Sequence, residues 1–298
     1  MRIRWKHVLR LGFVAVLCTA LVVAGLLTWV SQVYASRFAH MGCFGERLGL
    51  AELGYPSTPV TFVTRQGYAL RGWFSAGMAH PETAIVVLQG ASGNTEFALP
   101  DAEILAEAGY TTLIYEHRSC ANPDLLHSGG YFEAYDLISA VDYLTSRHDV
   151  RHVGVVGFSV GGTAALLAAA EDPRIEAVVA MGGFSSLEAD VLEPNTGNGP
   201  LDWTLRRLVF FFIGRELGVP LSLVNPESRI RRISPRPLLL VYGEEEAWNG
   251  EALYAAAQEP KELWIVPGIG HGGYREAYPT EYRTRILEFL HKAFHPSP

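Results

Sequence analysis

Ten residues, Val153 to Gly162 (VGVVGFSVGG), constrain this chain more than any other stretch. A short apolar run reads as a buried strand, the Ala- and Leu-rich run from Thr163 to Ala170 reads as a helix, and Gly-x-Ser-x-Gly lies at their junction. A serine on so tight a strand-to-helix turn needs small neighbours, which Gly157 and Gly161 supply, and its hydroxyl then projects from the turn. The helix starts directly behind Ser159, so its first backbone N–H groups, that of Val160 above all, are free to bind a developing oxyanion. A Gly-rich turn with an incidental serine would satisfy the five-residue pattern alone. The strand before it and the helix after it favour a nucleophile elbow.

The rest of the 298 residues must supply a fold that can present such an elbow. A hydrophobic fraction of 49% is enough for one sizeable core, and a net charge of −7 gives no electrostatic case for a nucleic-acid partner. No metal-ligand spacing such as Cys-x-x-Cys or His-Glu-x-x-His occurs, and neither a metal nor a cofactor is expected. Cys18 falls in an apolar leader, and Cys43 and Cys120 read as two buried free thiols, with a disulfide between them as the alternative outside the cytoplasm.

Arg2, Arg4, Lys6 and Arg10 precede an uncharged apolar run from Leu11 to Val30, long enough to cross a bilayer as a helix. The run is longer than a usual secretory core, so a retained anchor is preferred over a cleaved signal ending near Val33-Tyr34-Ala35. The basic residues before it place the amino end in the cytoplasm and the remainder outside. The expected organisation is a cytoplasmic tip and membrane anchor over 1–35, a linker over 36–58 and a catalytic domain over 59–298. The expected localisation is therefore the cell membrane, single-pass, with secretion after cleavage as the alternative.

Strand-like runs at 59–64 and 69–75 form a hairpin through Arg65-Gln66-Gly67, and TAIVVL (83–88) reads as a buried parallel strand entering the loop Gln89 to Asn94. Helical patterns at 96–108, 131–145 and 278–293 alternate with strands at 111–115, 153–156, 175–181, 237–242 and 263–266. That rhythm means a mostly parallel sheet covered on both faces. The stretch 188–235 is too long for an ordinary connection and reads as a cap. Within it, Trp203 to Ile213 is either an amphipathic helix burying its aromatics or a lid that lines an acyl pocket or touches a membrane.

A serine hydroxyl needs a base beside it and an acid behind the base, in the chain order Ser, acid, His. His271 lies in the Gly-rich loop that follows the 263–266 strand, while the other histidines sit near the elbow or on terminal segments, so His271 is the candidate base. The loop after Leu238 to Tyr242 offers Glu244, Glu245 and Glu246; Glu246 lies deepest in it and is preferred, with the other two left open. The loop after 83–88 should supply the second oxyanion donor, the backbone N–H of Ala91, with Gln89 bracing that loop.

These residues resemble the α/β-hydrolase superfamily, and within it the serine-aminopeptidase-like or membrane-anchored esterase branch, over about Gly49 to Phe294. The likeness extends to Val60 to Thr64 with Gly67 and Gly72-Trp73, to Tyr131 through Tyr143, to Ile233 to Pro237 and to Pro267 to His271. It implies an α/β-hydrolase fold: a mostly parallel eight-stranded sheet, helices on both faces, a helical cap, here preceded by a transmembrane helix. It also implies no cofactor and acyl-enzyme chemistry on a small-molecule ester, thioester or amide. The chain departs from the pattern in Gln89-Gly90 where His-Gly is usual, in Glu116 where Asp is common, and in a shortened loop after Glu246. The leading expectation is a serine esterase. A serine peptidase and a membrane-tethered binding protein with lost turnover are the alternatives; a dehalogenase is disfavoured because the elbow carries serine.

Overall fold

The structure, a computed structural model, describes residues 5–192 and 199–295. Eight strands form one sheet: β1 (Thr58–Val63), β2 (Ala69–Ser75), β3 (His80–Leu88), β4 (Tyr110–Tyr115), β5 (His152–Phe158), β6 (Ile175–Met181), β7 (Leu238–Gly243) and β8 (Lys261–Val266). Their spatial order is β1-β2-β4-β3-β5-β6-β7-β8, with β2 antiparallel to both its neighbours and β4 onward mutually parallel. The order reverses at β3, so the crevice at the carboxyl ends of β3 and β5 is where a sheet of this kind receives a ligand.

The helices are α1 (Trp5–Ala39), α2 (Leu99–Glu107), α3 (Arg118–Ala121), α4 (Tyr131–Thr145), α5 (Val160–Glu171), α6 (Leu187–Leu192), α7 (Pro200–Leu217), α8 (Ala247–Ala256), α9 (Tyr274–Ala277) and α10 (Pro279–Phe294). One face of the sheet packs Val86, Leu113, Val155 and Leu240 against α4, α5 and α8. The other packs Ile85, Ile114, Val156 and Val241 against α2 and α10. Side chains alternate across a strand, so Ile85 and Val86 necessarily enter opposite layers, and both faces must be apolar. α5 has no polar face, and Val160 through Ala170 are all buried.

Three features differ from the expectations. First, α1 does not end near 35: it continues to Ala39, and Ala35 and Ala39 pack with Ile213, Leu217, Leu221 and Val224. A pair between His40 and Glu216 at 2.9 Å closes that contact, and α1 and α7 lie along one another. Thus α7 buries its apolar side against the amino-terminal helix. Second, the 36–58 stretch, read as a linker, packs on the domain. Phe44 bridges to Gly93, Leu50 is buried, and a 3-10 turn runs over Leu50–Leu53. Third, Cys43 and Cys120 form a disulfide, which corrects the preference for free thiols. The pairing of Phe44 with Gly93 brings the segment beside α3, a juxtaposition that no spacing along the chain announces.

Among the described residues one helix, Leu9–Ala39, is long and apolar enough to cross a membrane, and its residues Leu9 to Leu26 are exposed. The expected cap corresponds to α6, α7 and two 3-10 turns, Leu221–Leu223 and Ile230–Arg232; its residues 193–198 lie outside the described residues.

Candidate active site

Ser159 sits between β5 and α5 with φ 55° and ψ −119°, a conformation that a residue with a Cβ reaches only at a cost of about 1–3 kcal/mol. Hydrogen bonds on either side hold it there: Ser159 N–H donates to Met181 O at 2.7 Å, and Thr163 N–H donates to Ser159 O at 3.0 Å. Gly161 is required because a Cβ at that position would stand 2.6 Å from Gln89 O, where α5 crosses the loop after β3.

The structure brings the three expected side chains together. His271 Nε2 lies 2.9 Å from Ser159 Oγ, and His271 Nδ1 lies 2.7 Å from Glu246 Oε2. A carboxylate only accepts, so Nδ1 carries the proton and Nε2 is left as the acceptor for the serine hydroxyl. Glu246 also accepts from Tyr274 Oη and, at 3.4 Å, from Gly243 N–H. The hydrogen bond to Glu246 raises the His271 pKa above the ordinary imidazole value, outweighing partial burial, and the nearby charge of Asp190 acts in the same direction. Burial raises the pKa of the Asp190 carboxyl itself.

The two other acidic candidates face elsewhere. Glu244 accepts from Gly268 N–H at 2.8 Å, and Glu245 lies against Gly270, so both shape the loop that carries His271. The short loop after Glu246 is explained by α8, which begins at Ala247. Sequence reasoning missed Tyr274, Asp190 and Gly182. Tyr274 stands three residues after His271, a spacing that could have suggested it. Gly182 has φ +58°, and a Cβ there would come within 3.0 Å of the His271 ring; nothing local in the sequence marks it.

Val160 is the first residue of α5, so its N–H has no partner within the helix. Ala91 follows β3 and lines the same cavity as Ser159, and its neighbour Gly90 lies against the Ser159 and Phe158 side chains. Gln89 does brace this loop, donating through Nε2 to Tyr115 O at 2.9 Å. Beside Ser159 opens a cavity of about 370 Å³ whose lining combines an apolar side, with Phe44, Phe97 and Phe158, and a charged side, with Asp101, Arg275 and Glu276. Its size is that of a small-molecule site. Among the described residues α7 contributes nothing to that lining, so α7 is not a lid on this cavity.

Behind the elbow is a second polar group. Glu133 accepts from His117 Nε2 at 3.2 Å and from Ser128 N–H at 3.0 Å, with His127 Nδ1 3.3 Å away. Two histidines and a carboxylate invite a metal reading. However, His117 Nδ1 accepts from Ser119 N–H, which puts the ring proton on Nε2 and spends that nitrogen on Glu133. The group reads as a hydrogen-bonded brace between α3 and α4. Burial opposes charge on Glu133, but its histidine partners hold the carboxyl well below the usual range.

A model of the dienelactone hydrolase family matches residues 72–204. The uncharacterized protein YfhR of Escherichia coli K12 is 27% identical over 251 residues, covering 80% of this chain and 81% of YfhR. The uncharacterized protein YqkD of Bacillus subtilis is 25% identical over 233 residues, covering 75% of this chain and 76% of YqkD. In three dimensions the chain is similar to the Pyrococcus furiosus esterase Pf2001, with a TM-score of 0.66 at 21% identity, covering 84% of this chain and 96% of that one.

Proposed function

From the premise that this chain is an α/β-hydrolase by fold, we propose that it is a serine hydrolase that cleaves a carboxylic ester through an acyl-enzyme. The family match and the esterase neighbour support hydrolysis. The observation that carries the mechanism is the continuous contact from Ser159 Oγ through the His271 ring to Glu246.

In this mechanism Ser159 Oγ attacks the acyl carbon while His271 Nε2 takes the hydroxyl proton, and Glu246 stabilises the imidazolium and fixes its orientation. The carbonyl oxygen, now negative, is held by the N–H groups of Ala91 and Val160. Collapse expels the alcohol, which receives the proton from His271. Water, deprotonated by the same ring, then attacks the acyl-enzyme, and the carboxylic acid leaves as Ser159 recovers its proton. Phe44, Phe97 and Phe158 give the cavity an apolar side that suits the acyl or alkoxy substituent of an ester.

The proposal includes its place in the cell: α1 holds the chain in the membrane with the catalytic domain outside. The apolar length of Leu9–Ala39 supports this, and the Cys43–Cys120 disulfide suits an oxidising compartment. A fluorophosphonate probe is expected to label the wild-type protein and to leave Ser159→Ala unlabelled. Equal labelling of the two would refute the nucleophile assignment. A reporter fused after the carboxyl terminus tests orientation, and a cytoplasmic signal would overturn it.

A further inference from the structure

We infer that the segment leaving α1, Met41 to Glu46, is a positioning element for the oxyanion loop and forms one wall of the active site, an inference that rests on the hydrolase reading above. Ser92 is the observation from which it starts. It lies next to Ala91, is completely buried, and has φ +54°; with Ser159 it is one of two non-glycine residues in that region among those described. A serine that sits there unrestrained relaxes to negative φ, and such a relaxation turns Gly90-Ala91 against Gly93-Asn94, moving the Ala91 N–H.

The restraint comes from the exit segment, on both sides of Ser92. Ser92 Oγ donates to Met41 O at 3.0 Å, Phe44 N–H donates to Ser92 O at 3.1 Å, and Asn94 N–H donates back to Phe44 O at 2.9 Å. Two residues on, Glu96 N–H donates to Glu46 O at 3.1 Å, and Glu46 N–H donates to Glu96 Oε2 at 2.7 Å. The segment is itself fastened at two points. The Cys43–Cys120 disulfide ties it to α3, and His127 N–H donates to Ala39 O at 2.8 Å. Phe44, between these ties, packs its ring on Phe97 at 5.1 Å and lines the cavity beside Ser159. The chain therefore emerges from its apolar helix directly into the wall of the site, and the shape of the oxyanion loop depends on it.

The test uses the full chain in lipid nanodiscs with a short-chain nitrophenyl ester, reading kcat and KM separately, together with hydrogen exchange of the peptide covering 89–95. Ser92→Ala loses the bond to Met41 but keeps the Cβ that disfavours positive φ. Its kcat is expected to fall on the order of tenfold with KM changed less than twofold, and its 89–95 amides to exchange faster. Ser92→Gly loses the same bond but needs no restraint at positive φ, so it is expected to lose clearly less kcat than Ser92→Ala. Paired Cys43→Ser and Cys120→Ser substitutions should lower kcat in the same way, and adding Ser92→Gly to that pair should restore part of it. A kcat for Ser92→Ala within twofold of wild type, or equal losses in Ser92→Ala and Ser92→Gly, would overturn the inference. If the wild-type protein turns over no ester, the hydrolase reading fails by itself. Unchanged exchange at 89–95 in Ser92→Ala sinks the positioning role whatever the activity.

Discussion

Two serines beside the proposed reacting position both have positive φ, and the chain holds them by different means. Ser159 is held by what lies next to it: β5 before, α5 after, and the carbonyl of Met181 on the adjoining strand. Ser92 is held by residues about fifty positions away, its hydroxyl donating to Met41 O and its carbonyl accepting from Phe44 N–H. The difference teaches why what holds the elbow can be read from one short stretch of sequence, and what holds the loop at Ala91 cannot. Local restraint leaves a pattern of glycines and apolar runs in the sequence. Remote restraint that ends on main-chain groups of Met41 and Phe44 asks for no particular side chain at those positions and so leaves almost none there.

Substitutions can break or sharpen that contrast. The largest effect should come from Ser159→Ala, which removes the nucleophile from an otherwise intact elbow: kcat falls by on the order of 10⁴ or more in an ester assay, and probe labelling disappears. Glu246→Gln should lower kcat by on the order of 10³, because the amide no longer stabilises the imidazolium. Its pH profile should change as well. His271 must be neutral to accept the proton, and Glu246 favours its charged form, so wild-type kcat/KM rises with pH along a limb centred above about 6.5. In Glu246→Gln that limb moves to lower pH; a limb that stays put would argue that another group titrates.

Gly182→Ala tests remote restraint on the base. The new Cβ meets the His271 ring in a backbone region where alanine is itself strained, and kcat should fall by about 10² with little change in KM. Phe44→Ala should be the mildest. It removes part of the cavity wall but none of the main-chain bonds to the oxyanion loop, so KM for an apolar ester should rise a few-fold while kcat holds within about twofold.

Much of the architecture was legible because the inner strands are continuous apolar runs broken by glycine, and such runs can only be buried on both faces. His271 was legible as the candidate base because it follows the last strand in a Gly-rich loop, where no other histidine lies. The acid was narrowed to three glutamates and chosen by depth in the loop, since only coordinates distinguish an oxygen turned toward an imidazole from one turned toward Gly268 N–H. The cap helix shows the limit of periodicity. Trp203 to Ile213 announces a face to be covered without saying what covers it, and the cover is Ala35 and Ala39 of α1. The disulfide was misjudged, and the packing of the 36–58 stretch went unseen, for one reason. Both depend on Phe44 lying beside Gly93, and no property of either residue predicts that meeting.

The unbroken passage of α1 into the body of the protein has a mechanical consequence. With Ala35 and Ala39 seated on α7 and His40 paired to Glu216, no slack tether separates the exposed half of the helix from the sheet. Whatever grips Leu9 to Leu26 therefore also sets the tilt and heading of the domain, and the mouth beside Ser159 keeps a constant bearing instead of sweeping out a hemisphere.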